Sequence, residues 1–214
     1  MNKNIWPLLG VGIGLGAAIL PVMARAPEPV PSLPRDVRNL EEAMDDCQGT
    51  RLAGWELVDY ATRLVNRKFT RYSLWHLWET SGRAFENSRG FSEQYNLALG
   101  RILAGLGFQV QVVRAERVRF DTTRTAAPPA WAGGHTWLRV TFEGQTRDVC
   151  ASRGDHRAGA VRFTPLGEVR AQQPWTGVIS RLRIAPAVLA EVWQAWLAVR
   201  PVPRWIYRGF HDQG

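Results

Sequence analysis

Arg89-Gly90-Phe91-Ser92-Glu93-Gln94-Tyr95-Asn96 is the stretch that decides how this chain reads. It opens a segment in which Tyr95, Leu99, Ile102, Leu103 and Leu106 recur on one face at helical spacing. Gly107 supplies the stop before Phe108. The spacing predicts a helix from Ser92 to Leu106, entered through a tight turn at Gly90. Downstream stand Gly134-His135-Thr136-Trp137 and then Arg147-Asp148-Val149. A nucleophile position at a helix start, a histidine on one strand and an acid on the next is an order that suits acyl transfer. The first position carries a hydroxyl where a thiol would be expected.

The chemistry behind that expectation is specific. A thiol at a helix N-terminus is pushed towards the thiolate, and an imidazole within hydrogen-bond distance completes the ion pair. A carboxylate then fixes the imidazole tautomer. His135 and Asp148 fall on strands joined by the turn Glu143-Gly144, and antiparallel pairing is expected to bring them side by side. Ser92 cannot be pre-ionised by a helix dipole, so it needs concerted general-base help from His135. Two readings of Ser92 stay open: nucleophile, or plain N-cap of the helix it starts. Cys150 lies two residues after Asp148, hence on the same strand face. It can approach the site as a surrogate thiol, though no helix dipole acts on it, or pack as an inert one.

Working outward, Asp36 to Cys47 reads as a short first helix and Trp55 to Phe69 as a second. In the latter, Val58, Ala61, Thr62 and Val65 mark the apolar face. Leu74-Trp75-His76-Leu77-Trp78 reads as a compact helical segment with His76 a satisfied boundary residue. After Gly107 the period changes: Val110, Val112, Val118 and Phe120 alternate as strands do. Leu138, Val140 and Phe142 continue the pattern, with His135, Trp137 and Arg139 on the other side. Asp121 to Trp131 reads as a loop, Thr146 to Cys150 as the returning strand, and Pro186 as the start of a last helix. Helices followed by an antiparallel sheet make an α+β domain.

The chain has 214 residues and a net charge of +8, with Lys3 and Lys68 its only lysines. Its arginines are dispersed and no nucleic-acid-binding module is recognisable, so a nucleic-acid partner is not expected. Ile5 to Met23 is an almost uncharged apolar stretch between Lys3 and Arg25. Residues 1–26 therefore read as a signal peptide or an N-terminal membrane anchor, and both place the remainder outside the cytoplasm. The prolines of residues 27–35 make an extended linker. Residues 36–180 would form the domain and 181–214 a C-terminal helix and basic-aromatic tail. Arg200, Arg204, Trp205, Tyr207 and Arg208 suit a membrane surface, with ordinary packing on the domain as the alternative.

In an oxidising compartment Cys47 and Cys150 could pair, closing a loop of roughly a hundred residues; two free buried thiols are the other reading. CxxC spacing is absent and His76, His135, His156 and His211 are scattered, so neither a metal nor a cofactor is expected.

Gly90-Phe91-Ser92-Glu93-Gln94-Tyr95-Asn96, Leu106-Gly107-Phe108, Gly134-His135-Thr136-Trp137 and Asp148, in that order, resemble the transglutaminase-like superfamily. The resemblance covers roughly residues 50 to 170. It implies a papain-like α+β fold with Ser92, His135 and Asp148 at the cysteine, histidine and aspartate positions of a catalytic triad. It also implies acyl transfer or amide hydrolysis on an extracytoplasmic peptide, protein or cell-wall substrate. The alternative is a catalytically inactive binding or scaffolding module of the same fold. The Arg89-Gly90-Phe91-Ser92 turn, Asn96 and the following Leu-Gly-Phe also resemble arylamine N-acetyltransferases, which carry a similar Arg-Gly-x-x-Cys turn, a further acyltransferase reading. Those enzymes use acetyl-CoA and are longer and cytoplasmic.

Overall fold

The structure is a computed structural model that describes residues 37–121 and 134–211. The N-terminal apolar segment, the proline-rich linker and most of the expected loop after Asp121 lie outside the described residues. No helix among the described residues is long and apolar enough to cross a membrane.

Helix α1 (Leu40–Gly49) starts where Asn39 Oδ1 accepts a hydrogen bond from the Glu42 backbone N–H at 2.8 Å. Helix α2 (Gly54–Lys68) buries Val58, Ala61, Thr62 and Val65, the face its spacing predicts. Strand β1 (Arg71–Ser73) follows, then turns through residues 74–78 in place of the expected helical segment. Leu74 and Leu77 are buried there all the same, and Ser73 Oγ lies 2.7 Å from His76 Nδ1. Short helix α3 (Ser81–Glu86) and strand β2 (Arg89–Gly90) lead into α4 (Ser92–Gly105).

Helix α4 is the centre of the molecule. Tyr95, Ala98, Leu99, Ile102 and Leu103 are almost wholly buried, and α1, α2 and the main sheet pack around them. That sheet has the order β6-β5-β3-β8, built from β3 (Gln109–Ala115), β5 (His135–Phe142), β6 (Gln145–Val149) and β8 (Arg170–Ala171), all antiparallel. Strand β4 (Val118–Phe120) pairs separately with β7 (Phe163–Pro165). The α+β class read from the sequence is thus the one observed, with Ser92 at the N-terminus of the central helix.

The C-terminal third differs from expectation. Helix α5 (Pro174–Leu197) begins twelve residues before Pro186, so the boundary drawn at residue 180 falls inside it. Pro174 suits a first turn, where its missing N–H is not needed. Ile184, Val188 and Val192 pack on Leu74, Leu77 and Phe91, so α5 covers the residue that precedes Ser92. The tail is built into the domain. Strand β9 (Tyr207–Gly209) pairs antiparallel with β1, and Ile206 and Phe210 are buried. Phe210 meets the Tyr95 ring edge-on at 5.1 Å, and Arg208 lies 3.9 Å over the Tyr72 ring.

Candidate functional site

The start of α4 is held from behind. Gln94 Nε2 donates to the His76 and Glu79 carbonyls, both at 2.8 Å, and Gln94 Oε1 accepts from the Phe91 N–H at 3.2 Å. A Cβ on Gly90 would lie 2.8 Å from Gln94 Oε1, which explains the glycine in the entry turn. The N-cap is Phe91 and Ser92 is the first helical residue, so the N-cap reading of Ser92 gives way. The serine is buried, retaining 8% of its exposure.

Asn96 stands one turn further along the same helix face. Its Nδ2 donates to the Thr136 carbonyl at 2.7 Å, and its Oδ1 accepts from the Ala151 N–H at 3.0 Å. Nδ2 also lies 3.5 Å from Cys150 Sγ. One amide therefore clamps the central helix to both sides of the site: the strand carrying His135 and the segment carrying Cys150.

His135 is buried among aromatic rings, with Phe163 at 4.8 Å, Phe120 at 5.3 Å and Trp137 stacked at 6.1 Å. Its Nε2 lies 3.3 Å from Cys150 Sγ. The thiol is fully buried and also contacts Ser152 Oγ at 3.2 Å. Behind it, His156 Nδ1 donates to the Cys150 carbonyl at 3.0 Å while Nε2 accepts from the Arg162 N–H at 3.1 Å. Those two bonds fix His156 as a neutral tautomer, and burial holds its pKa below the ordinary histidine value. His156 is structural: it anchors the backbone that carries Cys150.

Asp148 stands apart from this group. It is paired in register with Arg139, whose Nε lies 3.4 Å from Asp148 Oδ1, and the carboxylate is partly exposed. His135 lies four residues further along β5, roughly 13 Å of strand away. Among the described residues no hydrogen bond joins Ser92 to His135. Asn96, one turn beyond Ser92, reaches the strand that carries His135, while Asp148 lies outside this group of contacts.

The disulfide does not form. Cys47 and Cys150 are both free and buried. Cys47 sits in the core on α1, where burial and the neighbouring Asp46 push its thiol up to about 11. Cys150 meets His135, Asn96 and Ser152. No group of histidine, cysteine and acidic side chains among the described residues could hold a metal ion.

Beside the histidine a cavity of about 660 Å³ opens between the sheet edge and the first half of α5. Gly134 and Gln172 line it, and Gln172 Oε1 accepts a hydrogen bond from Thr136 Oγ1 at 3.2 Å. Gly134 precedes His135 in sequence, and Thr136, which meets Gln172 of the wall, follows it. Nearby, Glu93 is buried and its Oε1 pairs with Arg181 at 3.0 Å.

No protein-family model matches the chain, and no curated protein matches it. Solved structures similar to this chain include these two. One is the arylamine N-acetyltransferase of M. tuberculosis, at 22% identity and a TM-score of 0.34 over 51% of this chain and 45% of that one. The other is a candidate cysteine protease from Cytophaga hutchinsonii, at 11% identity and a TM-score of 0.39 over 72% of this chain and 53% of that one. The similarity spans about half the length of each of these proteins.

Proposed function

We propose that this chain is a binding module of the transglutaminase-like kind, exported and tethered by its N-terminal segment, that keeps the frame of an acyl-transfer site without its reactive ion pair. One observation carries the reading. The imidazole of His135 is engaged at Nε2 by the buried Cys150 thiol, 3.3 Å away, while the only acid expected to orient it is occupied by Arg139.

A serine nucleophile depends on its base more heavily than a cysteine does, because its hydroxyl is not ionised near neutral pH. The base must present one nitrogen to the hydroxyl and have the other held by a carboxylate. Here His135 is enclosed by rings and its Nε2 faces sulfur. The thiol has no compensating access, since Cys150 is fully buried. Neither group can be reached by an acyl carbon without opening the core. What the fold leaves open is the adjoining cavity, which suits ligand capture from an extracytoplasmic peptide, protein or cell-wall source.

The test is labelling of the folded full chain with a serine-directed fluorophosphonate and with iodoacetamide. The expected result is no modification of Ser92 or Cys150. Fluorophosphonate labelling of Ser92 that disappears in His135→Ala would overturn the binding-module reading and restore a serine acyl-transfer enzyme.

A further inference from the structure

The cavity beside His135 is lined by four arginines, Arg114, Arg117, Arg170 and Arg183, against two acids, Glu116 and Glu168. Arg170 and Glu168 satisfy each other, with Nη2 to Oε2 at 2.6 Å. That leaves three guanidiniums facing one carboxylate. Among the described residues, no hydrogen bond or ion pair engages the guanidiniums of Arg114, Arg117 or Arg183. Arg114 is half-buried at the cavity wall, and burial holds its pKa below the ordinary guanidinium value; the nearby Arg183 charge adds to this, opposed by Glu93 and Glu116. Like charges gathered on one concave surface without partners repel each other, and a fold tolerates that arrangement when an anion supplies the missing charge.

The first turn of α5 contributes at the same place. Gln173 and Thr176 line the cavity, and the opening turn carries no acidic residue. The dipole at this end of the helix adds to the positive potential. The α5 side also carries apolar residues beside these polar ones. Ile179 lines the cavity, and Trp175 and Leu182, at helical spacing from it, are 76% and 57% exposed.

We propose that this cavity binds a phosphate ester, with Arg114, Arg117 and Arg183 around the phosphate and Ile179 against whatever the ester carries. Guanidinium groups favour phosphate because their paired N–H donors match its oxygens. A volume of about 660 Å³ holds the ester together with a group the size of a headgroup or sugar. The phosphate comes from a free ester or from a lipid headgroup, and the apolar residues on the α5 side distinguish the two. The assignment rests on the binding-module reading and names the ligand class of that same cavity.

The experiment is calorimetric titration of the full chain, in a non-ionic detergent, with glycerol 3-phosphate and with short-chain dihexanoyl phosphatidylglycerol. At least one ester is expected to bind, and Arg183→Gln to weaken it by about 10-fold or more through loss of a charge-assisted contact. Arg200→Gln, at an exposed position beyond the far end of α5, is expected to bind as the parent does. Tighter binding of the phosphatidylglycerol, with the gain lost in Ile179→Ser, identifies a lipid-borne phosphate; equal affinities identify a free ester. No binding of either ester, or unchanged binding in both Arg183→Gln and Arg117→Gln, overturns the assignment. Loss of ester binding with Ser92 still unlabelled removes this assignment alone. Ser92 labelling with ester binding retained removes the binding-module reading alone.

Discussion

Asn96→Ala is the substitution that most directly tests how the site is assembled. The side chain is fully buried and bonds to the Thr136 carbonyl at 2.7 Å and the Ala151 N–H at 3.0 Å. Truncation removes both bonds at once and strips two backbone groups, themselves buried, of this partner. Each such group costs about 1–3 kcal/mol when left unsatisfied, so a loss of about 2–6 kcal/mol is expected. The lower half of that range is favoured if a water enters the space vacated by the amide, giving about 3 kcal/mol. For a domain of this size that corresponds to a fall in Tm of roughly 6–12 °C. Asn96→Asp keeps the acceptor for Ala151 but turns a carboxylate towards the Thr136 carbonyl, so it is expected to lose at least as much. Urea unfolding followed by tryptophan fluorescence gives the stability, and iodoacetamide labelling of Cys150 gives the local consequence, since a loosened helix start should expose the thiol. A loss below about 1 kcal/mol, with Cys150 still protected, would refute the claim that this amide clamps helix to sheet.

Burial lowers the His76 pKa to about 4 from an ordinary 6.5. Between those values the unfolded chain binds more protons than the folded one, so the stability linked to His76 is complete above about pH 6.5 and is lost as pH falls towards 4. An NMR titration of the His76 ring should therefore show a midpoint near 4, and one near 6.5 would contradict its burial beside Ser73. Cys47, pushed up to about 11, is expected to resist iodoacetamide at pH 8 in the folded chain. After unfolding, both cysteines should react without any reductant; a requirement for reductant would reinstate the disulfide. In Ser92→Cys the new thiol stands in the first turn of α4, so its alkylation midpoint should fall below the free-cysteine value of about 8.5. A midpoint at or above that value would mean that the helix start no longer provides the field an acyl-transfer site requires.

The fold was legible wherever periodicity was long. The apolar faces of α2 and α4, the change of period after Gly107 and the turn at Glu143-Gly144 all stand where the spacing puts them. It failed where tertiary contacts overrule local pattern. Leu74 and Leu77 look helical because both are buried, yet the burial comes from α5 and Ile206 packing over a turn. Helix α5 was cut short in the sequence because Pro186 reads as a beginning, although the helix runs through it from Pro174. The tail reads as interfacial because arginines alternate with aromatics. The same alternation suits a short strand whose Arg208 covers Tyr72 while Ile206 and Phe210 point into the core.

The site turned on register. Asp148 was matched to His135 because the two fall on adjacent strands joined by a tight turn, but adjacent strands do not make adjacent positions. A two-residue turn at Glu143-Gly144 pairs residues equally distant from it, which puts Asp148 against Arg139 and directs the residues beyond Val149 towards His135. That arithmetic needs only the turn, so the displacement of Asp148 could have been read from the sequence. The meeting of Cys150 with His135 could not, because it depends on the chain leaving β6 at Val149 and on Asn96 drawing Ala151 against the central helix. On the binding-module reading proposed above, the motif order of an acyl-transfer site survives in the chain while its charge arrangement does not. A sulfur stands where the imidazole would need a carboxylate, and a hydroxyl where the reaction would need a thiolate. The two exchanges reinforce each other: without a carboxylate the base is weakened, and a serine is the nucleophile least able to act without its base.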